Sequence, residues 1–186
     1  MEMESDEEIV QQVVQGKVQS YALLVDRYER AVFNLMYRYC RSDQEAADLC
    51  QDVFLRTYER LTSFDSSRKF FPWLYALAVN RAKDWQRSSF RKSRNLALLQ
   101  WEVPVMEKGS SQEEQLGSRE EVKELYGALD SLPDTTREIL LLRYRQDRPI
   151  RELASVFKMS ESAVKMRISR ALEQMRDVLG GARYEK

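Results

Sequence analysis

The chain has 186 residues, of which 43% are hydrophobic and 32% are charged, and its 30 Lys and Arg residues balance its 30 Asp and Glu residues. This length and composition predict one or two soluble globular domains and argue against wholesale disorder. There is no histidine, and the only cysteines are Cys40 and Cys50. This excludes the commonest general base, a structural zinc site and a disulfide framework. We therefore expect neither enzymatic activity nor a cofactor.

Apolar residues recur at helical spacing almost throughout the chain, without the two-residue alternation that indicates strands. Residues 103–118 contain Pro, Gly, Ser and Glu without periodicity and are predicted to form a linker. Gly180 and Gly181 are expected to end the last helix. The pattern predicts an all-α protein of two small helical domains joined by a flexible acidic linker, with helices over residues 6–15, 20–40, 44–61, 71–90, 120–132, 135–145, 150–157 and 160–179.

No apolar run approaches the roughly 18 residues that a membrane span needs, and the chain begins with the acidic segment MEMESDEE. We therefore expect a cytoplasmic protein without direct membrane insertion. The balanced total charge conceals alternating blocks, because residues 81–94 and 143–176 are basic whereas 43–65 and 102–124 are acidic. Such blocks indicate partners of different charge, although each block alone is also compatible with a solvated helix face.

The predicted helix over residues 44–61 has two distinct faces at 100° per residue. Cys50 falls on the apolar face and is interpreted as a small core residue, as is Cys40 in the preceding helix. The opposite face presents an exposed leucine, Leu55, among the polar residues Asp48, Gln51 and Asp52. This face fits either a docking site for a basic partner or a solvated surface.

The predicted helix over residues 71–90 aligns polar and basic side chains on one face, namely Asn80, Lys83 and Arg87. The segment just before it, SFDSSRKFF, places small polar and basic residues between aromatic ones. Asparagine can bond base edges, cations can bind phosphates, and aromatic rings can stack on unpaired bases. The alternative is a hydrophobic core with a solvated basic face.

The segment over residues 150–172 predicts two short helices separated by a break at Lys158 and Met159. Ser160 is a suitable N-cap for the second helix, whose apolar positions include Val164, Ile168 and Leu172. Two helices, a short turn and a basic second helix are typical of a helix-turn-helix, although ordinary α-hairpins share this pattern. The outward and flanking positions of the second helix include Lys165, Met166, Arg167, Ser169 and Arg170.

Four segments together resemble the extracytoplasmic-function (ECF) sigma factors of bacterial RNA polymerase, within the sigma-70 superfamily. They are DLCQDVFLRTYERL (48–61), FFPWLYALAVNRAKDW (70–85), LDSLPDTTREILLLRY (129–144) and ELASVFKMSESAVKMRISRAL (152–172). The resemblance implies that residues 1–92 bind core polymerase and recognise and melt the minus-ten element. It implies that residues 93–119 are the linker and that residues 120–186 read the minus-thirty-five element. The expected partners are core RNA polymerase, promoter DNA and an anti-sigma factor.

The resemblance also assigns roles to individual positions. It implies polymerase binding by Asp48, Gln51, Asp52 and Leu55. It implies minus-ten binding by Ser66, Ser67, Arg68, Lys69, Phe70 and Asn80, with Lys83 and Arg87 as contacts to the DNA backbone. It implies minus-thirty-five binding by Lys165, Met166, Ser169 and Arg170, and we add Arg167 as a flanking phosphate contact.

Two residues depart from the family pattern. Lys158 stands in the turn where family members commonly have glycine, and Met166 replaces a residue that is usually small and polar. The first departure bears on the turn geometry and the second on promoter preference. A stand-alone helix-turn-helix regulator is the alternative function, although it leaves the Asp48 face without a purpose. A helical protein-binding adaptor is a third possibility that leaves the basic faces unexplained.

Overall fold

A computed structural model describes residues 4–93 and 119–184 of the chain. Within these ranges the regular structure is entirely helical, as the periodicity predicted. The α-helices are α1 (Asp6–Val14), α2 (Tyr21–Cys40), α3 (Asp43–Glu59), α4 (Phe70–Ser93), α5 (Arg119–Asp130), α6 (Asp134–Tyr144), α7 (Ile150–Phe157) and α8 (Glu161–Tyr184). Most of the predicted linker lies outside the described residues. Nowhere in the described part is a helix long and apolar enough to cross a membrane.

The chain divides into two compact units, Met1–Pro104 and Val105–Lys186. In the first unit α2 and α3 pack against each other, and α4 and α1 pack on this pair. Leu24, Leu35, Leu74 and Tyr75 are fully buried in its core. Burying side chains of this size stabilises a fold by about 2 kcal/mol each. This core holds the outer faces of α3 and α4 in fixed positions.

Local capping explains where α1 and α3 begin. Ser5 and Glu8 form a capping box at the start of α1, in which each side chain bonds to the other residue's backbone N–H. The Ser42 hydroxyl accepts a hydrogen bond from the Glu45 N–H at the start of α3. Between these helices, Arg41 ends α2 in the left-handed conformation, with φ of 55°.

The second unit is built from α5 to α8. Ile139, Leu142, Leu153 and Val164 form its fully buried centre. The guanidinium of Arg137 on α6 is almost completely buried and donates hydrogen bonds to Asp130 Oδ1 at 2.9 Å and Asp134 Oδ1 at 2.8 Å. The two carboxylates balance the positive charge of this buried guanidinium. It therefore ties the end of α5 to the start of α6.

Both cysteines are buried, which confirms their interpretation as core residues. Burial raises the pKa of Cys50 to about 11, so its thiol stays protonated and weakly nucleophilic. Burial likewise raises the pKa of Cys40. The elevated pKa values disfavour the reactive thiolate form at neutral pH.

Two details of the predicted last helix are wrong. It does not end at Gly180 and Gly181 but continues to Tyr184. Glycine lowers helix propensity, but it stops a helix only where the chain also takes a left-handed turn, and Gly180 does not have a positive φ. Leu172, expected to face inward, is 37% exposed, and Ala171 is buried in its place.

Candidate nucleic-acid and protein interfaces

The outer face of α3 is only partly as predicted. Leu55 is 58% exposed, and Asp48 and Gln51 are also exposed. Asp52 is different, because its carboxylate is partly buried and bonds to two guanidinium groups. Arg56 Nε donates to Asp52 Oδ1 at 2.9 Å, and Arg81 Nε of α4 donates to Asp52 Oδ2. Asp52 therefore joins α3 to α4 and is not a free acidic group on the rim.

The pairing also controls the charge of Asp52. Burial works to raise the pKa of its carboxyl group, but the hydrogen bonds and charges of Arg81 and Arg56 outweigh burial. The net effect is a pKa below the ordinary value. Asp52 is consequently ionised at neutral pH, with its charge balanced within the protein.

A groove between α2 and α3 continues from the outer face of α3. Its volume is about 500 Å³, and its lining includes Glu29, Phe33, Gln51, Leu55 and Tyr58. At one side the rings of Tyr21 and Tyr58 meet edge to face with their centroids 5.2 Å apart. The Tyr21 hydroxyl donates to the Phe54 carbonyl oxygen at 2.7 Å. The groove adds apolar area beside Leu55 that could not be deduced from one helical pattern.

The segment before α4 is an exposed loop between two buried aromatic residues. Phe64 and Phe70 are buried and meet edge to face, with ring centroids 5.8 Å apart. The predicted nucleic-acid residues Ser66, Ser67, Arg68 and Lys69 lie exposed between them. Phe70 itself is 0% exposed. The ring of Phe70 could stack on a base only by leaving the core, so its burial argues against the predicted base contact, which stays a prediction.

Asp65 determines the conformation at the start of this loop. Its Oδ1 accepts hydrogen bonds from the Ser67 N–H at 3.0 Å and the Ser67 hydroxyl at 2.6 Å. Its Oδ2 accepts from Arg68 Nε at 3.1 Å. The hydrogen bonds from Ser67, followed by the Arg68 charge, hold the pKa of Asp65 below its ordinary value. The sequence Asp-Ser-Ser is a known signal for such an Asx turn, which the sequence interpretation did not use.

The polar face of α4 carries the other predicted minus-ten residues. Asn80 and Arg87 are exposed, and Lys83 is half-buried. Arg87 lies 2.5 Å from Asp84 in a surface pair, whose small energy allows the guanidinium to change partners. Asn80 lies ten residues beyond the start of α4, or about 15 Å along the helix. Asn80 therefore lies far along α4 from the helix end at which the loop joins it.

The helix-turn-helix consists of α7, a turn at Lys158 and Met159, and α8. Lys158 has φ of 53° and ψ of 48°, the left-handed conformation that glycine adopts most easily. The Ser160 hydroxyl accepts from the Ala163 N–H at 3.2 Å, so the predicted N-cap is present. The turn keeps the geometry expected for glycine although it contains lysine.

The residues Lys165, Met166, Ser169 and Arg170 of the predicted reading face of α8 are all exposed, and the exposed fraction of Met166 is 55%. Arg167 is half-buried, and its Nη1 donates to Thr136 Oγ1 of α6 at 3.4 Å. This arrangement gives one face of α8 a combination of cationic, hydroxyl and apolar groups. Such groups can bond bases and phosphates in a major groove. Arg167 also helps hold α8 against α6.

Comparison with known proteins identifies the family to which the chain belongs. The model described as "Sigma-70 region 2" matches residues 24–92, and "Sigma-70, region 4" matches residues 123–175. The ECF RNA polymerase sigma factor SigW of Bacillus subtilis (strain 168) is 30% identical over 180 residues, covering 91% of this chain and 94% of that protein. The ECF RNA polymerase sigma-E factor of Escherichia coli (strain K12) is 30% identical over 175 residues, covering 91% of each.

Solved structures show the same fold. The structure of CnrH in complex with the cytosolic domain of CnrY has a TM-score of 0.70 and 23% identity, covering 96% of this chain and 99% of that one. The sigma factor RpoE of Bartonella quintana, crystallised with the anti-sigma factor NepR, has a TM-score of 0.70 and 18% identity. The match covers 87% of this chain and 98% of that one. A stand-alone helix-turn-helix regulator does not account for the match over residues 24–92. The chain belongs to the ECF family of RNA polymerase sigma factors, which direct transcription initiation.

Proposed function

We propose that the chain binds core RNA polymerase through the outer face of α3 and the adjoining groove. The observation that supports this is the exposed apolar area around Leu55, bordered by Asp48 and Gln51 and continuous with the groove. An exposed apolar patch with a polar rim is typical of a protein interface. Asp52 contributes by holding α3 to α4, and its pairing with Arg81 argues against a role as a free charge.

A pull-down of core polymerase with charge-reversed variants tests this interface. Asp48→Arg should weaken binding at least tenfold if the contact is desolvated. Asp26→Arg is the matched control, because Asp26 is an exposed aspartate on α2. If Asp48→Arg and the wild-type protein bind core polymerase with equal affinity, the polymerase binds a surface other than the outer face of α3.

The proposed promoter contacts lie on two surfaces. The loop residues Ser66, Ser67, Arg68 and Lys69, together with Asn80, contact the opened minus-ten strand, with Lys83 and Arg87 on phosphates. The exposed face of α8 enters the major groove at the minus-thirty-five element. These assignments rest on exposure, charge and the family's pattern. In this function the chain performs no catalysis of its own and acts in the cytoplasm, for a stress or envelope response.

Promoter melting tests the role of Asn80. The promoter is obtained by sequencing transcripts that increase on overexpression of the chain. Asn80→Ala should reduce permanganate reactivity of the minus-ten thymines while binding of the closed complex is retained. Gln86→Ala is a control on the same helix. Normal melting by Asn80→Ala would remove Asn80 from the proposed set.

We also propose that an anti-sigma factor binds this chain. Two solved relatives of the same fold are complexes, one with the cytosolic domain of CnrY and one with the anti-sigma factor NepR. Co-purification of the chain at native expression, followed by mass spectrometry, tests the proposal. A partner that releases the chain when core polymerase is added would support the proposal, because the partner and the polymerase then compete for the same exposed surface of the chain.

A further inference from the structure

Glu7 of α1 contacts Lys69 and Phe70, where α4 begins, with both carboxylate oxygens. Its Oε1 accepts a hydrogen bond from the Phe70 backbone N–H at 2.9 Å, and its Oε2 lies 3.5 Å from Lys69 Nζ. The first N–H groups of a helix lack partners within the helix, and a carboxylate there also interacts favourably with the helix dipole. Glu7 therefore caps α4 from a position 63 residues earlier in the chain.

The position of Glu7 is itself fixed by the packing of α1. The neighbouring Asp6 accepts hydrogen bonds from the Tyr28 hydroxyl and from Arg27 Nη1, both on α2. On the same helix Ile9 and Val10 are buried in the core. The Glu7 side chain is only 20% exposed. A carboxylate held in this way can impose a conformation on the segment that it contacts.

The loop from Asp65 to Lys69 is thus held at both ends. Asp65 organises its first residues by hydrogen bonds to Ser67 and Arg68. At the other end the Phe70 ring is buried, and Glu7 binds the Phe70 N–H and the Lys69 ammonium group. Without Glu7, the Phe70 N–H would lose its acceptor and Lys69 would lose its counter-charge. The far end of the loop would then sample more conformations.

We propose that Glu7 is a positioning residue for minus-ten recognition, which sets the conformation of the Ser66–Lys69 loop through the Phe70 N–H before DNA binds. It makes no DNA contact of its own, and its effect comes from reducing the conformational freedom that binding would otherwise remove. The proposal rests on the proposed function of this loop. It extends that function to α1, which lies before the matched residues 24–92.

The test uses holoenzyme assembled from core polymerase and the full chain. The probe is a single-stranded oligonucleotide that the wild-type holoenzyme enriches from a library randomised over the minus-ten positions. The measured quantity is the affinity ratio between this probe and a scrambled sequence. Glu7→Ala should reduce this ratio about tenfold, because specific binding must then order the end of the loop that the lost helix cap no longer holds. Its affinity for core polymerase should remain that of the wild-type protein.

Glu7→Gln provides the rescue. Its amide oxygen can still accept from the Phe70 N–H, while the ion pair with the exposed Lys69 is lost, which costs little. Glu7→Gln should therefore retain most of the preference. Glu8→Ala is the matched control, because Glu8 bonds to Ser5 at the start of α1. This substitution should weaken the helix without removing the contact between Glu7 and the loop.

The outcomes separate this proposal from the one on which it rests. If Glu7→Ala and Glu8→Ala reduce the ratio equally, Glu7 acts only through the stability of α1, and the proposal is overturned. If the double variant Ser66→Ala/Arg68→Ala loses preference while Glu7→Ala keeps it, the loop reads DNA but Glu7 does not position it. If the double variant keeps full preference, the function proposed for the loop fails, and the role of Glu7 fails with it.

Discussion

Asp52 on α3 and Arg81 on α4 form an ion pair that joins the helix proposed to bind polymerase to the helix proposed to contact the opened promoter. Arg56 completes the cluster from α3, with its Nε 2.9 Å from Asp52 Oδ1. Arg81 directly follows Asn80 in the sequence. Any rearrangement of α3 against α4 must therefore break or move this pair. Its contribution to stability can be measured separately from its effect on binding.

Neutralising Asp52 should destabilise the first unit in a pH-dependent way. The pKa of Asp52 is lowered in the folded state, so its contribution is present above the ordinary aspartate pKa and is lost as the pH falls through the lowered value. Asp52→Asn should reduce the free energy of unfolding by about 1 kcal/mol at pH 7, since the pair is partly exposed. The difference from the wild-type protein should shrink below about pH 4.

Urea unfolding followed by tryptophan fluorescence measures this effect, because all tryptophans precede residue 105. Asp48→Asn is the control on the same helix and should change stability by less than about 0.5 kcal/mol. A pH-independent difference for Asp52→Asn would contradict the role of the ion pair. Asp52→Arg is a poor probe of polymerase binding, because it places a third guanidinium beside Arg56 and Arg81.

Arg170 should read a base, whereas Lys165 should hold a phosphate. The planar guanidinium of Arg170 can form two hydrogen bonds to a guanine, so Arg170→Ala should lose about 1–3 kcal/mol at one promoter position and relax preference there. Lys165→Ala should weaken binding across all sequences and reduce the salt dependence by about one unit of slope. Transcription from a library randomised at the minus-thirty-five element measures both. A uniform loss for Arg170→Ala would identify it as a phosphate contact instead.

Met166 should affect preference more than affinity. Its side chain is 55% exposed on the reading face of α8, where an apolar group can contact a thymine methyl. Met166→Ser should reduce the preference for thymine at one position by about 1 kcal/mol and leave binding to other sequences nearly unchanged. The same randomised library provides the measurement. An unchanged sequence profile would show that Met166 makes no base contact.

Replacing Lys158 by glycine should stabilise the second unit. Lys158 has φ of 53°, a conformation in which a Cβ atom is strained. Lys158→Gly should increase the free energy of unfolding by about 1 kcal/mol, because removal of the Cβ relieves this strain. Hydrogen exchange of the α7 and α8 amides measures it. Ser155→Gly is the control within α7 and should decrease stability by about 1 kcal/mol.

Helical periodicity predicted the elements well, because each amphipathic helix carries its own pattern. It located α7 at residues 150–157 as observed, and it found the exposed position of Leu55. It was wrong where the outcome depended on neighbouring elements. Leu172 and Ala171 lie side by side at the edge of the apolar face of α8, and only the packing of α5, α6 and α7 against that helix decided which of them is buried.

The sequence alone determined the all-α class, the helix-turn-helix and the faces that carry Asp48, Asn80 and Arg170. These features follow from residue spacing within single helices. Only the tertiary structure decided that Asp52 is paired, that Phe70 is buried and that Glu7 caps α4. Each of these depends on a contact between helices distant in sequence, and such contacts are set by how the apolar faces pack together. A carboxylate in a helical pattern looks the same whether it meets solvent or a guanidinium from another helix.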